Sequence, residues 1–183
     1  MGNFVEPLRE TKKIKKVAKY LKKTNFRDYV LWVLGVSSGL RVSDLVALNV
    51  KDVRNKSFLQ IKEKKTKKFK RIPLNSQLQK IFKKFTKNRK DNEPLFLGKF
   101  GNRLNRRQVY RFIKSACKNL KFQENVGTHT MRKSFGYHHY RKNKDVAILQ
   151  TIFNHSSPRI TLRYIGIAQD EIDYSYSTLK LCA

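Results

Sequence analysis

Acidic residues are scarce in this sequence of 183 residues, which has 13 Asp and Glu against 42 Lys and Arg, a formal net charge of +29. No cluster of carboxylates offers the oxygen ligands that hard cations prefer, so we expect chemistry that uses neither a metal nor another cofactor. An excess of positive charge this large destabilises a compact chain unless a polyanion neutralises it. The composition therefore predicts a nucleic acid as the partner.

Cysteines and long apolar runs are also few. The two cysteines, Cys117 and Cys182, form no framework of spaced pairs, which favours free thiols in a reducing cytosol. No apolar run approaches the roughly 18 residues that a membrane-spanning helix needs, and the first residues lack the apolar segment of a secretory signal. We therefore expect a soluble, cytoplasmic protein that does not associate with membranes.

Apolar residues recur at helical spacing over most of the chain. Two alternating runs at 58–62 and 69–74, joined by a lysine-rich turn, predict a small antiparallel sheet. No repeat or linker divides the chain, so we expect one mainly helical α+β domain over residues 1–183. Three helices are predicted before the sheet, over about 8–23, over about 26–37 and from Arg41 onward. After the sheet, one helix is capped by Asn75 or Ser76 and one is opened by Asn105. The last four cover about 129–141 with Thr128 as the cap, 146–153 with Asp145 as the cap, 158–165 opened by Ser157-Pro158, and 169–180.

Two short motifs place cationic groups at predicted helix starts. In Gly39-Leu40-Arg41-Val42-Ser43-Asp44, Arg41 lies between a tight turn and a helix, where free backbone N–H groups favour a phosphate. In Thr128-His129-Thr130-Met131-Arg132, the histidine and the arginine are three residues apart and share a helix face. Taken alone, each motif has a plainer interpretation, namely a surface arginine paired with Asp44 and a histidine that caps a helix.

Two further segments complete the set. Phe153-Asn154-His155-Ser156-Ser157-Pro158 precedes a helix that contains Tyr164, and Asn154 suits a left-handed helix end that would place His155 at a sharp corner. The turn Lys64-Lys65-Thr66-Lys67-Lys68 is a dense run of lysines. Its plain interpretation is a solvated run that protects a strand edge, just as Tyr164 alone would be an ordinary core residue.

Together these groups can cleave a phosphodiester without a metal. Two arginines match the geometry of phosphate oxygens and neutralise the charge of the transition state. A tyrosine hydroxyl, whose pKa is about 10 in water, becomes a nucleophile when cations or a histidine activate it. A desolvated lysine can protonate the departing oxygen.

The ordered set resembles the phage integrase, or tyrosine recombinase, family over about residues 8–170. The chain differs from the family pattern at Asn154, where glycine is usual. By resemblance Lys65 is the hairpin lysine, with Lys64 and Lys67 as close alternatives. The resemblance implies the family's catalytic-domain fold, a nearby acidic residue at Asp44, and the catalytic residues Arg41, Lys65, His129, Arg132, His155 and Tyr164.

The resemblance also implies a function and an assembly. Tyr164 would attack DNA and form a 3′-phosphotyrosyl link, Lys65 would protonate the 5′ oxygen, and another strand's 5′ hydroxyl could then rejoin the ends. We expect double-stranded DNA as the partner, with a homotetramer on DNA and a monomer when free. The residues expected to contact DNA are Lys64, Lys67, Arg103, Arg106 and Arg107.

Two other functions fit parts of the sequence. A non-catalytic DNA-binding module of the same fold needs only the charge and the arginines, and it would give salt-sensitive binding without a covalent product. A type IB topoisomerase would relax supercoiled DNA without exchanging ends. Family members usually carry an N-terminal helical domain that closes around DNA; we expect it to be absent here, and DNA binding to be correspondingly weaker.

Overall fold

The computed structural model describes residues 4–179 of the chain, which form helices and, within that range, one two-stranded hairpin. Strands β1 (Phe58–Lys62) and β2 (Phe69–Pro73) pair antiparallel, with Phe58 opposite Pro73 and Lys62 opposite Phe69. The helices are α1 (Thr11–Thr24), α2 (Phe26–Ser38), α3 (Val42–Leu45), α4 (Ser76–Phe85), α5 (Arg106–Asn119), α6 (Thr130–Asn143), α7 (Val146–Phe153), α8 (Pro158–Ile165) and α9 (Ile167–Thr178). The expected mainly helical α+β class is confirmed.

Helix α2 lies at the centre of the main core and packs against α1, α4 and α6. Its apolar side chains are buried on several faces, and the fully buried Trp32 also donates its indole N–H to the carbonyl of Ile14 at 3.3 Å. The helix ends at Gly39, which has φ 62° and ψ 17°. A Cβ at Gly39 would lie 2.4 Å from the ring of Phe135, so both the backbone conformation and the packing require glycine.

A second, smaller core joins α6, α7, α8 and α9. Its buried members are Leu149, Phe153, Ile165 and Ile167. Helix α7 ends at Asn154 with φ 52° and ψ 48°, in the left-handed region, as the sequence predicts. This core therefore fixes the sharp corner between α7 and α8, which carries His155.

Three helix starts differ from the sequence predictions, those of α1, α6 and α9. Helix α1 begins at Thr11 rather than near residue 8, because the preceding segment is held in extended form. The backbone N–H of Leu8, itself fully buried, donates to Ser134 Oγ at 2.8 Å, and the N–H of Glu6 donates to the carbonyl of Asn125 at 2.9 Å. These bonds tie the N-terminal segment to the rest of the domain instead of to a helical turn.

The predicted cap of α6 is also wrong. The helix begins at Thr130, and the residue before it is His129 rather than Thr128. The Thr130 hydroxyl accepts from the N–H of Gly127 at 3.0 Å and donates to the carbonyl of Glu6 at 3.0 Å. The hydrogen bonds at the start of α6 are therefore satisfied one residue later than expected.

Other helix starts follow the sequence. Side chains of the residues before α4, α5, α7 and α8 accept a backbone N–H in the first turn, as helix caps do. These residues are Asn75, Asn105, Asp145 and Ser157. The predicted last helix, at 169–180, begins at Ile167 and ends at Thr178, while residue 180 lies outside the described residues.

Two expectations from composition concern cysteine and membranes. Cys117 is buried with a free thiol whose pKa burial raises to about 11, and Cys182 lies outside the described residues. Within residues 4–179, no helix has both the length and the apolar character that crossing a bilayer requires.

Candidate active site

Arg41 stands at the N-terminus of α3, directly after the turn that ends α2. Its Nη1 lies 2.9 Å from Oε1 of Glu63, and its Nη2 donates to the carbonyl of Phe153 at 3.3 Å. The Arg41 side chain is 17% exposed, whereas the Glu63 side chain is 0% exposed. One edge of the guanidinium is therefore fixed by protein while the side chain still reaches solvent.

Arg132 comes from the first turn of α6 and is buried beside Arg41. It donates to the carbonyls of Gly39 at 2.5 Å and of Phe153 at 2.9 Å. Burial, followed by the neighbouring charge of Arg41, lowers the pKa of Arg132 to about 10. The two predicted phosphate-binding arginines therefore converge on one backbone oxygen, that of Phe153, and Arg132 stays charged at neutral pH.

His155 lies at the corner after Asn154, as predicted. Its Nδ1 is 3.1 Å from the hydroxyl of the fully buried Thr161. Burial and then the charges of Arg132, Arg41 and Lys65 lower the pKa of His155 to about 4. The imidazole is neutral at physiological pH, so an anion that enters the site meets a neutral ring with a fixed orientation.

Tyr164, on α8, lies against both histidines. Its hydroxyl is 3.0 Å from Nδ1 of His129, and its ring packs edge-on against His155 with centroids 5.1 Å apart. Burial raises the pKa of Tyr164 above its ordinary value, and the charges of Arg132 and Arg41 oppose that rise. A phenol held this way keeps its proton until a base or an incoming charge shifts the balance.

His129 precedes α6 and is suited to receive that proton. Partial burial, then the positive charges of Arg106, Lys133, Arg132 and Arg41, lower its pKa. The ring is therefore neutral at neutral pH, and its Nδ1 can accept a hydrogen bond from the Tyr164 hydroxyl. The structure thus brings together His129 and Tyr164, which are 35 positions apart in the sequence.

The lysine hairpin approaches the same place from the other side. Asp44 Oδ1 accepts the backbone N–H of Lys64 at 2.9 Å, which ties the turn to α3. Lys65 is exposed, yet its charge contributes to the lowered pKa of His155. Lys67 adopts φ 59° and is exposed at the far side of the turn. Of the three lysines that the sequence left open, Lys65 is the one whose charge acts on His155.

Three charged residues at the site were not singled out from the sequence. Glu63 accepts from Arg41 and from Lys70, each at 2.9 Å, and Lys70 also donates to the carbonyl of Ile152. The buried Lys133 has its Nζ 5.0 Å from the centre of the Tyr164 ring, and burial lowers its pKa to about 8. In the sequence these residues look like ordinary solvated charges. The one signal that could have identified them is their position next to the lysine turn, for Glu63 and Lys70, or next to Arg132, for Lys133.

The predicted DNA-contacting arginines divide into two groups. Arg103 directs its guanidinium into the fold, with donors 2.9 Å from the carbonyl of Val46, 2.8 Å from that of Leu48 and 2.8 Å from Oδ1 of Asn49. Arg106 and Arg107 are exposed in the first turn of α5. Arg103 therefore stabilises the loop that contains Val46, Leu48 and Asn49, whereas Arg106 and Arg107 are exposed at the surface.

Sequence comparison decides the family. The model of the phage integrase family matches residues 8–171. The chain belongs to the phage integrase family of tyrosine recombinases. This tyrosine recombinase is 45% identical over 175 residues to the probable integrase/recombinase YoeC of Bacillus subtilis (strain 168), covering 95% of this chain and 96% of that relative. It is 33% identical over 177 residues to the tyrosine recombinase XerA of Pyrococcus horikoshii, covering 94% of this chain and 60% of XerA.

Solved structures show the same fold. A crystal structure of XerA recombinase superimposes with a TM-score of 0.74 at 20% identity, covering 95% of this recombinase and 63% of that chain. A lambda integrase dimer bound to a COC′ core site gives a TM-score of 0.69 at 19% identity, covering 88% of this chain and 59% of that one. The expected tyrosine-recombinase catalytic-domain fold is confirmed.

Proposed function

We propose that this tyrosine recombinase cleaves and rejoins double-stranded DNA at specific sites through a covalent link on Tyr164. Two observations carry the proposal together. Arg41 and Arg132 converge on one carbonyl, that of Phe153. The Tyr164 hydroxyl lies within hydrogen-bond distance of His129 Nδ1. A phosphate that replaces the Phe153 carbonyl as acceptor would receive the Nη2 donors of both arginines. The nucleophile would then lie next to a neutral base.

In the proposed first step, the Tyr164 oxygen attacks phosphorus and its proton passes to His129. Arg41 and Arg132 neutralise the charge that develops on the non-bridging oxygens, the term that usually dominates such reactions. His155 donates a hydrogen bond to the same phosphate from its other ring nitrogen, Nε2, while its Nδ1 stays 3.1 Å from the Thr161 hydroxyl. Lys65 protonates the 5′ oxygen, whose bond to phosphorus breaks.

The product is a 3′-phosphotyrosyl link and a free 5′ hydroxyl. Because the phosphodiester bond energy is retained in the link, a 5′ hydroxyl from another strand can reverse the step without ATP. We infer that two duplexes are held in a homotetramer and that the free protein is a monomer. Relatives with solved structures include XerH bound to a palindromic difH substrate in a post-cleavage complex. Since the substrate is cellular or mobile-element DNA, we infer that the protein acts in the cytoplasm.

The contact surface for DNA is inferred from charge and exposure. Lys64 and Lys67 on the hairpin, with Arg106 and Arg107 at the start of α5, present exposed cations around the site. Cations of this kind bind backbone phosphates and supply affinity rather than sequence preference. Arg103 is not included, because its donors are used within the fold.

The proposal is tested by trapping the covalent intermediate on a library of nicked duplexes with randomised sequence. The wild-type protein should form a denaturation-resistant adduct, and Tyr164→Phe should abolish it. Tyr176→Phe is the matched control, because this tyrosine is 80% exposed on α9, and it should form the adduct normally.

Persistence of the adduct in Tyr164→Phe would show that the nucleophile is wrongly assigned. DNA binding by the wild-type protein without any adduct would favour the non-catalytic module instead. Relaxation of supercoiled plasmid without exchange of marked ends would favour the topoisomerase.

A further inference from the structure

Glu63 is a fully buried carboxylate at the edge of the site, between the end of β1 and the lysine turn. Removing a charge from water is costly unless partners replace the water. Here burial favours the protonated form, but the hydrogen bonds and charges of its partners prevail and lower the pKa of Glu63 to about 2. Its side-chain partners are Arg41 at 2.9 Å, Lys70 at 2.9 Å, Thr66 at 2.7 Å and Asn154 at 2.6 Å.

These partners belong to separate parts of the site. Thr66 and Lys70 belong to the hairpin itself, Arg41 precedes α3, and Asn154 ends α7 directly before His155. The bond between Glu63 and Asn154 therefore spans 91 positions and joins the lysine turn to the histidine corner. A second bond, from Lys70 to the carbonyl of Ile152, runs in the same direction.

The side chain of Asn154 is not needed for the local backbone. Glycine adopts the backbone conformation found here, φ 52° and ψ 48°, at least as readily as asparagine, because it has no Cβ that would clash with the backbone. What the amide adds is its Nδ2 donor, which reaches Oε2 of Glu63. The residue thus serves the contact with the hairpin rather than the helix end.

We propose that the Glu63–Asn154 hydrogen bond is a tether that holds the lysine hairpin over the scissile phosphate, with Glu63 and Asn154 acting as positioning residues for Lys65. This inference rests on the proposed function of the site. Lys65 is exposed at the turn of a two-stranded sheet, and an isolated hairpin of this kind is at best marginally stable. The tether fixes the turn from the side on which the phosphate binds.

Asn154→Gly separates the tether from the phosphate clamp. It removes the Nδ2 donor but leaves Glu63 paired with Arg41 and Lys70, and it does not change the net charge. DNA affinity should therefore stay the same, while Lys65 becomes less well placed to donate its proton. Misplacement of a reacting group by about 1 Å can cost up to about a hundredfold in rate.

The test uses nicked DNA with either an ordinary 5′ oxygen or a bridging sulfur at the scissile position. A thiolate leaves without protonation, because the pKa of a thiol is only about 8.5. Asn154→Gly should slow adduct formation on the oxygen substrate about tenfold or more, and match the wild type on the sulfur substrate. Asn88→Gly is the matched control, since Asn88 also has a left-handed backbone, at φ 61°, and is exposed.

A double-mutant cycle ties the effect to Glu63. Glu63→Gln should slow both substrates, because Arg41 loses its counter-charge. In that background, Asn154→Gly should add much less than it does in the wild type. Equal slowing of both substrates by Asn154→Gly alone, full activity of that variant on the oxygen substrate, or strictly additive effects would each overturn the tether.

A measurement without DNA separates this inference from the proposed function. Amide hydrogen exchange of Lys64 and Lys67, whose N–H groups bond to Asp44 and to the carbonyl of Glu63, reports directly on the hairpin. Exchange should be faster in Asn154→Gly than in the wild type or Asn88→Gly, even if no DNA is cleaved. Unchanged exchange would overturn the tether, whereas an inactive wild type would overturn only the proposed chemistry.

Discussion

The two sides of the site are built differently. On the helical side, Arg132 is buried and bonded to two backbone carbonyls, and Tyr164 packs against two histidines. On the hairpin side, Lys65 is exposed at the end of a sheet with only two strands in the described part of the chain. The proposed phosphate clamp and nucleophile are thus part of the core, whereas the turn that carries the proposed proton donor is bonded to the side chains of Asp44 and Glu63.

This difference separates stability from activity. A change on the helical side should affect both, because the residues that we propose to bind the phosphate also support the fold. A change at the hairpin turn should affect activity alone, because Lys65 contributes little to the core. The following predictions test that separation, and they run from the largest expected effect to the smallest.

Arg132→Lys should have the largest effect. Lysine keeps the charge but lacks the planar fork, so the carbonyls of Gly39 and Phe153 cannot both be satisfied and the phosphate loses a bidentate donor. Adduct formation should fall on the order of a hundredfold or more, and the Tm should fall as well. Arg111→Lys, at an exposed position on α5, is the control for both measurements. An unchanged Tm in Arg132→Lys would contradict the assignment of this arginine to the core.

Lys65→Ala should reduce the rate but not the stability. Loss of a general acid typically costs about a hundredfold or more, whereas truncating an exposed lysine leaves the core intact. Adduct rates and the Tm should be compared with those of Lys64→Ala and Lys67→Ala, in which we expect smaller losses that arise from weaker DNA binding. A larger loss in either of these variants would move the role of proton donor to that lysine.

The pH dependence of stability should show that the fold lowers the pKa of His155. Its pKa is about 4 in the fold against an ordinary value of 6.5, so the unfolded chain binds more protons between these values. Stability should therefore be full above about pH 6.5 and decrease as the pH falls toward 4, by at most about 3 kcal/mol. Thermal unfolding between pH 8 and about 5 should show a shallower slope in His155→Gln than in the wild type. Equal slopes would mean that the ring is not held neutral by the site.

The smallest effect concerns the arginines around α5. Arg106→Ala with Arg107→Ala should weaken DNA binding and reduce the slope of log affinity against log salt by about two, without changing the Tm. Arg103→Ala should lower the Tm and leave the salt slope nearly unchanged, because its guanidinium binds Val46, Leu48 and Asn49. If Arg103→Ala reduced the salt slope and the double variant of Arg106 and Arg107 lowered the Tm, Arg103 would be the DNA-binding residue and the other two would be structural.

Much of the fold could be predicted because local signals were strong. Asn75, Asn105, Asp145 and Ser157 have side chains that cap helices without help from the rest of the chain. The left-handed end at Asn154 follows from the same local chemistry. The errors at the starts of α1 and α6 arose where distant segments satisfy backbone groups, as Ser134 does for Leu8.

The site itself was predicted only in part. Order and spacing identified the residues of the family motifs, and the structure brings Arg41, Arg132, His155 and Tyr164 together. Glu63 and Lys133 escaped notice because nothing in a lysine-rich sequence shows that one charge is buried and another is not. The inward turn of Arg103 depends on carbonyls 54 or more positions away, so no local pattern could reveal it.

The shared acceptor of the two arginines is a main-chain atom, the carbonyl oxygen of Phe153. No replacement of the Phe153 side chain can delete that atom, although the ring itself is fully buried in the smaller core and packs on Arg132. In the proposed reaction, loading of a substrate is therefore an exchange of one oxygen ligand for another, and the protein would return to the same arrangement once the rejoined strand departs.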